Sequence, residues 1–539
     1  MQAGRRIEVF APIAAALALG LGLWLRVVAL GQDGFWEDEV FSASFAQLSF
    51  PATLIAVLVL DVHPPLYYLQ LNAWGRLGHG DVWLLLNSVA WSTAAMLGVY
   101  FGTRRQFGSS AGLLALLLCA VLGGEIFFAH ELRMYAMASC LAVLSWIAAG
   151  RLAADYRLVR AWPLIVVLVL LGAIHSASVI AASAALLYVF PSGSRAQIRR
   201  ALPTWIGIAA LVACSYLPWL VSAGSRNSIG HAASPSLPAL LQTVGGWLIG
   251  YGALTLPAWL RIAAAGVVAL GLLAAALSDA RLARLVLCFL VWPLLFGALL
   301  CVLVQPIWLD RTFAFCAPFV AIAFGAAVGA RLDQAARSAR SASGSALASA
   351  LASAETSAET SAEASALGSA SIIATLCATS ALPAYLQAIT PDRPDRYRDL
   401  AQYLAAHASR GEIIYAPREI DFWGLNRYLV GADWGSILTF EDGPVMQTRK
   451  RWRRVYAWLG PARLQRLGAL PLSRRYDGYR IPIYDGLTPL PDEPGVSGEW
   501  LVSMDGEPLP ALSEAHLCAS SYPAPIRFGD LQLYHWRCP

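Results

Sequence analysis

The sequence predicts an all-α polytopic membrane protein with a C-terminal soluble α/β domain, and three observations predict it. First, 58% of the 539 residues are hydrophobic and only 14% are charged, with a mean hydropathy of +0.56; a soluble domain carries about 25% charged residues. Second, apolar runs close to the roughly 20 residues needed to cross a bilayer recur as far as residue 389. Third, after Thr390 the pattern changes to proline-punctuated segments with amphipathic helical spacing and short strands.

Residues 9–30 form the first apolar run, preceded by Arg5 and Arg6. A cleaved signal peptide is excluded because the apolar segment is too long and contains Arg26. Arg26 should lie near the outer end of this span, either snorkelling to the interface or pairing with a loop carboxylate. Residues 34–68 follow as an acidic, aromatic loop, and 66–77 read as an amphipathic piece along the interface. Further spans are expected over 82–101, 110–128, 134–150, 161–174, 177–190, 202–221, 257–277, 284–304, 313–330 and 371–389, about 11 in all. The pair around His175 could be one long helix, and 239–256 could be re-entrant or interfacial.

Arginine sets the orientation, since Lys450 is the sole lysine of a chain with net charge +5. With the N-terminus inside, the cytoplasmic loops hold fifteen arginines, from Arg5 and Arg6 to Arg337 and Arg340, against five outside: Arg76, Arg133, Arg226, Arg261 and Arg311. The protein is thus expected in the cell (inner) membrane, in contact with membrane lipids, with a cytoplasmic N-terminus. The expected domains are 1–390, membrane-embedded, and 391–539, a periplasmic or extracytoplasmic α/β domain. Residues 335–370 form an Ala/Ser low-complexity cytoplasmic linker without the large apolar residues a core needs.

In the outer domain PDRPDRYRDLAQYLAAHA reads as a helix, and GEIIYAP, YRIPIYDG, EWLVSM and DLQLYHW read as strands. A Cys518–Cys538 disulfide is chemically permitted on that side. The nine cysteines include no Cys-x-x-Cys pair, so neither a zinc site nor a redox motif is supported. The basic run Arg449, Lys450, Arg451, Arg453 and Arg454 reads as a solvated helix face, and no nucleic-acid partner is expected.

Polar density concentrates in segments expected on the outer side: Trp36-Glu37-Asp38-Glu39, Asp61-Val62-His63-Pro64-Pro65, His130-Glu131-Leu132-Arg133-Met134-Tyr135 and Leu309-Asp310-Arg311, joined by His175. A carboxylate can take a proton from a hydroxyl or amine nucleophile, and the planar fork of arginine suits a phosphate. Taken singly, each has a bland reading as a solvated acid, a loop-to-helix junction or a snorkelling arginine. Glu125, near a helix end, calls for a neighbouring arginine.

These motifs carry a resemblance. W-x-D-E after the first span (Trp36, Asp38, Glu39), D-x-H-P-P-L-Y-Y (Asp61, His63 to Tyr68) and E-L-R-M-Y (Glu131 to Tyr135) resemble the bacterial branch of the protein O-mannosyltransferase-like and aminoarabinose-transferase-like glycosyltransferases, of the glycosyltransferase family 39 type, which have the GT-C fold. Arg311 with Pro318 resembles the late arginine-then-proline signature, and Tyr397, Arg398, Asp399 and Leu400 carry a weaker similarity.

The resemblance implies transfer, with inversion, of a sugar from a polyprenyl-phosphate donor to a lipid, glycan or protein acceptor on the outer face. Asp38 matches the catalytic carboxylate, Glu39 its partner, and Asp61 and His63 complete the pocket. Arg133 with Arg311 would hold the donor phosphate, with Glu131, His130 and Tyr135 in support. Glu37 directly before the pair and His130 before Glu131 depart from the family pattern and leave open which acid is the base. No cofactor is certain; Glu39, Asp61 and His63 would be the set for a divalent metal ion, if one binds. The alternative is a transporter or flippase of lipid-linked sugars, which would place ionisable residues near mid-bilayer on broken helices with internal repeats.

Overall fold

The structure is a computed structural model that describes residues 2–61, 63–191, 193–224, 234–251, 258–304, 306–344, 382, 385–386, 396–408, 413–415, 419–429, 437–438, 498–506 and 523–537. It is mostly helical and divides into two compact units, one of residues 1–30, 62–64 and 86–390, the other of residues 31–61, 65–85 and 391–539. The expected strand YRIPIYDG, the basic run at 449–454, both cysteines of the expected bridge, nearly all of the span 371–389 and the linker beyond Gly344 lie outside the described residues.

Along the chain come α1 (Gln2–Val27), α2 (Glu37–Gln47), α3 (Phe50–Leu60), α4 (Leu66–Gly75), α5 (Asp81–Phe107), α6 (Ser109–Val121), α7 (Gly123–Ala129) and α8 (Tyr135–Ala154). They are followed by α9 (Leu158–Ile174), α10 (Val179–Tyr188), α11 (Arg195–Gly224), α12 (Leu237–Ile249), α13 (Ala258–Ser278), α14 (Ala280–Val286), α15 (Trp292–Leu303) and α16 (Ala317–Gly344). Among the described residues six helices are long and apolar enough to cross a membrane, and α6 with α7 makes a seventh if that pair, bent by 57°, is one span. Helices of this class leave large apolar side chains on the outside, such as Leu270 at 70% and Leu277 at 79% exposure. Patches of this kind are stable only against lipid or another apolar surface. The chain is a multi-pass membrane protein.

The structure corrects the reading of residues 34–68 as one loop. Residues 37–60 form α2 and α3, which pack with α4 in the second unit. Buried Asn72 joins the three, its amide donating to Leu48 O (2.6 Å), Ala46 O (3.2 Å) and Thr53 Oγ1 (3.0 Å). The Ala46 and Leu48 carbonyls are orphans of the α2 C-terminus. At His175 the chain breaks in an extended conformation, so 161–174 and 177–190 belong to two helices rather than one.

In the first unit α6 and α16 approach closely. A Cβ added at Gly325 or Gly329 would lie 2.4 Å from backbone atoms of Ala115 and Ala111 respectively, the small-residue spacing that lets two membrane helices touch backbone to backbone. The break between α6 and α7 has a comparable cause. Leu122 is extended, and Gly123 meets the backbone of Ile249 and Gly250 where any side chain would clash.

Arg26 seals that break. It is fully buried rather than snorkelling, and its recorded hydrogen bonds go to a hydroxyl and three backbone carbonyls. Nε donates to Ser92 Oγ (2.8 Å), Nη1 to Gly22 O (3.0 Å) and Ala120 O (2.9 Å), and Nη2 to Cys119 O (3.0 Å). The last two carbonyls sit at the C-terminus of α6, where a cation also complements the helix dipole. Glu125, on α7, is the nearby counter-charge and accepts from Ser139 Oγ (3.0 Å). The sequence reading that Glu125 needs a neighbouring arginine is therefore answered by Arg26.

In the second unit, α17 (Tyr397–His407) and α18 (Glu419–Tyr428) accompany a five-stranded mixed sheet of β1 (Ile413–Tyr415), β2 (Ile437–Leu438), β3 (Gly498–Met504), β4 (Ile526–Phe528) and β5 (Leu531–Arg537), in the order β2-β1-β3-β5-β4. Strand β1 runs parallel to β2 and β3, and β5 runs antiparallel to β3 and β4. The buried residues of α17, Tyr397, Leu400, Ala401 and Leu404, follow the one-face spacing of an amphipathic helix. Tyr397 Oη donates to buried Asp421 on α18 at 2.8 Å.

Replacing Arg26 with methionine should destabilise the protein by about 3–5 kcal/mol, because Glu125 and the α6 carbonyls lose their buried cation. Ser92→Ala, which removes one acceptor, should cost about 1 kcal/mol. Thermal unfolding in detergent measures both; equal losses would rule out the sealing role.

Candidate active site

The W-x-D-E motif forms the N-terminal turn of α2. Trp36 is the extended residue before it, and Glu37, Asp38 and Glu39 occupy its first three positions. Three carboxylates in a first turn complement the positive end of the helix dipole. Glu39 is buried and folds back to accept from the Trp36 backbone N–H at 3.3 Å, the return half of a capping box. Asp38 is half-buried, and its backbone carbonyl accepts from Ser42 Oγ at 3.1 Å. Of the acids of the motif, Glu39 thus has a local structural task at the start of α2.

Asp61 follows α3 directly and is buried. Asp38, Glu39 and Asp61 belong to the second unit; His63, His130, Glu131, Arg133, Tyr135, His175 and Arg311 belong to the first.

Within the first unit the structure brings His63, His175 and Tyr135 together. The two imidazoles stack at 4.4 Å between centroids, and the Tyr135 ring lies 6.1 Å from His175. His175 Nδ1 accepts from the Ala177 backbone N–H at 3.0 Å, capping the short 3-10 turn Ser176–Ser178, so in the neutral ring the proton sits on Nε2. His175 belongs to none of the sequence motifs, and its place at a turn between two apolar segments is the signal that singles it out.

His130 ends α7, and its Nε2 lies 3.2 Å from Leu25 O, next to Arg26. Glu131 and Arg133 are buried in the turn between α7 and α8, where Ser88 Oγ donates to Glu131 O at 2.6 Å. Tyr135 begins α8 and packs on Phe128 at 4.9 Å. Arg311 lies half-buried in the 3-10 segment Asp310–Cys316, beside Asp310. Asp310 accepts from Gln242 Nε2 (2.5 Å) and Thr243 Oγ1 (2.9 Å), anchoring this segment to α12. Among the described residues no group of three or more His, Cys, Asp or Glu side chains is gathered to hold a metal ion.

The chain matches no protein-family model and no curated protein sequence. Solved structures do resemble it. The apo crystal structure of ArnT from Cupriavidus metallidurans superposes with a TM-score of 0.50 at 13% identity, over 99% of this chain and 98% of that one. The chain has the GT-C glycosyltransferase fold. The ArnT structure bound to undecaprenyl phosphate gives a TM-score of 0.49 at 13% identity, over 96% of this chain and 97% of that one. The Archaeoglobus fulgidus oligosaccharyltransferase in complex with Zn and sulfate gives 0.45 at 11% identity, over 77% of this chain and 61% of that one. The GT-C fold that the motifs imply is thus the fold observed.

Within this GT-C fold the unequal placement of the two motif acids gives a test. Glu39→Ala should destabilise the protein by about 1 kcal/mol through loss of the cap interaction, whereas Glu39→Gln and Asp38→Asn should each leave the unfolding free energy in detergent within about 0.5 kcal/mol of the parent. A melting temperature for Glu39→Ala equal to that of Glu39→Gln would remove the capping role.

Proposed function

We propose that this protein is an integral membrane glycosyltransferase that moves a sugar from a polyprenyl-phosphate donor to a lipid, glycan or protein acceptor on the outer face of the cell membrane. The observation that carries the reading is the GT-C fold over nearly the full chain in a sequence that also bears W-x-D-E, D-x-H-P-P-L-Y-Y and E-L-R-M-Y. ArnT, one of the solved structures that resemble this chain, has been crystallised with undecaprenyl phosphate. About 11 spans, an inside N-terminus and an outside C-terminal domain complete the proposal.

In the proposed reaction the Asp38 carboxylate takes the proton of the acceptor hydroxyl or amine. The freed lone pair attacks the anomeric carbon from the side opposite the phosphate, forming the new glycosidic bond. The bond from that carbon to the phosphate oxygen breaks with its electron pair, and polyprenyl phosphate leaves. Attack and departure on opposite faces invert the anomeric centre. Arg133, with Arg311, holds the phosphate and stabilises the negative charge that grows on it, a contribution of several kcal/mol in sites of this type. In this reading Asp61 and His63 complete the pocket, with Glu131, His130 and Tyr135 in support.

Of the two motif acids, Asp38 is proposed as the base because it is the one that matches the catalytic carboxylate of the W-x-D-E motif, with Glu39 as its partner. Asp38→Asn should lower transfer at least 10²-fold, the scale of a general base, with membrane expression intact; unchanged glycan transfer would sink the assignment. Arg133→Ala should weaken donor use more than acceptor use in steady-state kinetics, and equal effects on both would argue against a donor-phosphate role. Reporter fusions at residues 350 and 450 should read opposite sides of the membrane. Mass spectrometry of lipids and glycans from a deletion strain would identify the sugar by its missing mass.

A further inference from the structure

A set of polar contacts in the second unit is used neither by the sheet nor by the proposed chemistry. Asp81, the first residue of α5, is 12% exposed and accepts from three side chains of residues 398–428. Arg427 donates through Nε at 3.0 Å and through Nη2, Arg398 donates through Nη2, and Tyr428 Oη donates at 2.8 Å. The same three residues reach the strip Gly31–Phe35. Arg398 Nη1 donates to Gly31 O (2.8 Å) and Gln32 O (2.9 Å). The Phe35 backbone N–H donates to Tyr428 Oη (2.8 Å), and the Arg427 guanidinium lies over the Phe35 ring at 4.5 Å. Gly34 adopts φ +76°, and a Cβ there would stand 2.9 Å from Arg398 Cβ, so the strip follows this path only with glycine.

The strip ends one residue before Trp36 and three before Asp38. Each group of the set is used twice: the Tyr428 hydroxyl donates to Asp81 while accepting from Phe35, and each arginine binds Asp81 while contacting the strip. Burial, and secondarily the Asp81 carboxylate, pushes the Tyr428 phenol above its ordinary value, so it stays protonated and able to donate at neutral pH. Paired arginine–carboxylate bonds fix geometry as well as charge.

We propose that Asp81, Arg398, Arg427 and Tyr428 form a clamp that holds Gly31–Phe35 and thereby sets the position of Asp38, making these four positioning residues for the reaction. The inference rests on the transferase reading for its catalytic consequence. A base must stay within about 0.5 Å of its productive place, and a misplacement of about 1 Å can lower the rate 10²-fold. The C-terminal residues thus act on the chemistry through the backbone of the strip without touching the reacting atoms.

The deciding variant is Tyr428→Phe in the full-length protein in detergent, since it keeps the ring beneath Arg398 and Arg427 and removes only the hydroxyl. Expected are a fall in kcat of about tenfold or more with donor KM unchanged, a melting temperature within a few degrees of the parent, and faster backbone amide exchange over residues 34–39. Arg427→Lys, which keeps the charge but not the fork, should fall between parent and Tyr428→Phe in both kcat and exchange. Unchanged kcat, or a fall in kcat matched by a large loss of melting temperature, would overturn the positioning role. The exchange measurement does not depend on the reaction assigned: unchanged exchange at 34–39 overturns the clamp even if transfer is never observed, whereas a protein that transfers no sugar overturns the transferase reading and leaves the clamp standing, and unchanged transfer in Asp38→Asn overturns the role of Asp38 as base.

Discussion

The Arg26 guanidinium is the interaction on which the membrane region depends. In hydrocarbon, backbone carbonyls that leave a helix ladder need another partner, and the chain leaves the ladder where α6 gives way to α7. Arg26 answers two of the carbonyls exposed there and carries a charge of the right sign for the end of α6. Without it the 57° bend would leave these buried carbonyls unsatisfied. With it α7 can turn away, ending at His130, and the buried turn that follows can present Glu131 and Arg133. A residue at the end of the first helix thus sets the course of the segment that holds the proposed phosphate ligand.

The acid-rich stretch illustrates a related division of labour. An N-terminal turn has free N–H groups, so one carboxylate there is commonly spent on the helix itself. Glu39 is that carboxylate, and its burial and its bond to Trp36 N–H give the acid at the third position of α2 a structural task. Asp38, one residue earlier, faces a different direction on the helix. The ambiguity among Glu37, Asp38 and Glu39 in the bare sequence comes from the fact that capping and catalysis ask for the same residue type.

What the sequence made legible follows the range of the interaction. Span-length apolar runs report a local property, and the amphipathic spacing of Tyr397, Leu400, Ala401 and Leu404 does the same for α17. The motif residues were readable because they resemble a known order, and the GT-C fold implied by that order is the one found. The loop drawn from Gly34 to Tyr68 was misjudged because charged and aromatic residues obscure the helical period. Its helices are held by Asn72, whose partners lie 19–26 residues away and leave no periodic trace. Arg26 was readable as unusual, but its partners are backbone carbonyls, which have no residue type to detect. The break at His175 likewise depends on one side chain accepting from a nearby N–H.

The same limitation explains why Asp81 escaped notice. As the first residue of a long apolar helix it looks like an ordinary dipole-complementing acid, and nothing nearby in the chain suggests more. Its partners lie more than three hundred residues later, and two of them also bind the backbone at Gly31, Gln32 and Phe35. Of these partners only Arg398 stood within a segment of recognised similarity, and the side chain alone gave no hint of its use. Bonds from distant side chains to main-chain atoms are the cheapest way to hold a short irregular strip, because they require no particular side chain on the strip itself. Such a strip can vary in sequence while its path stays fixed, provided that glycine remains where φ is positive, as at Gly31 and Gly34. The position of the carboxylate three residues further on is then a property of residues 398–428 as much as of its own helix.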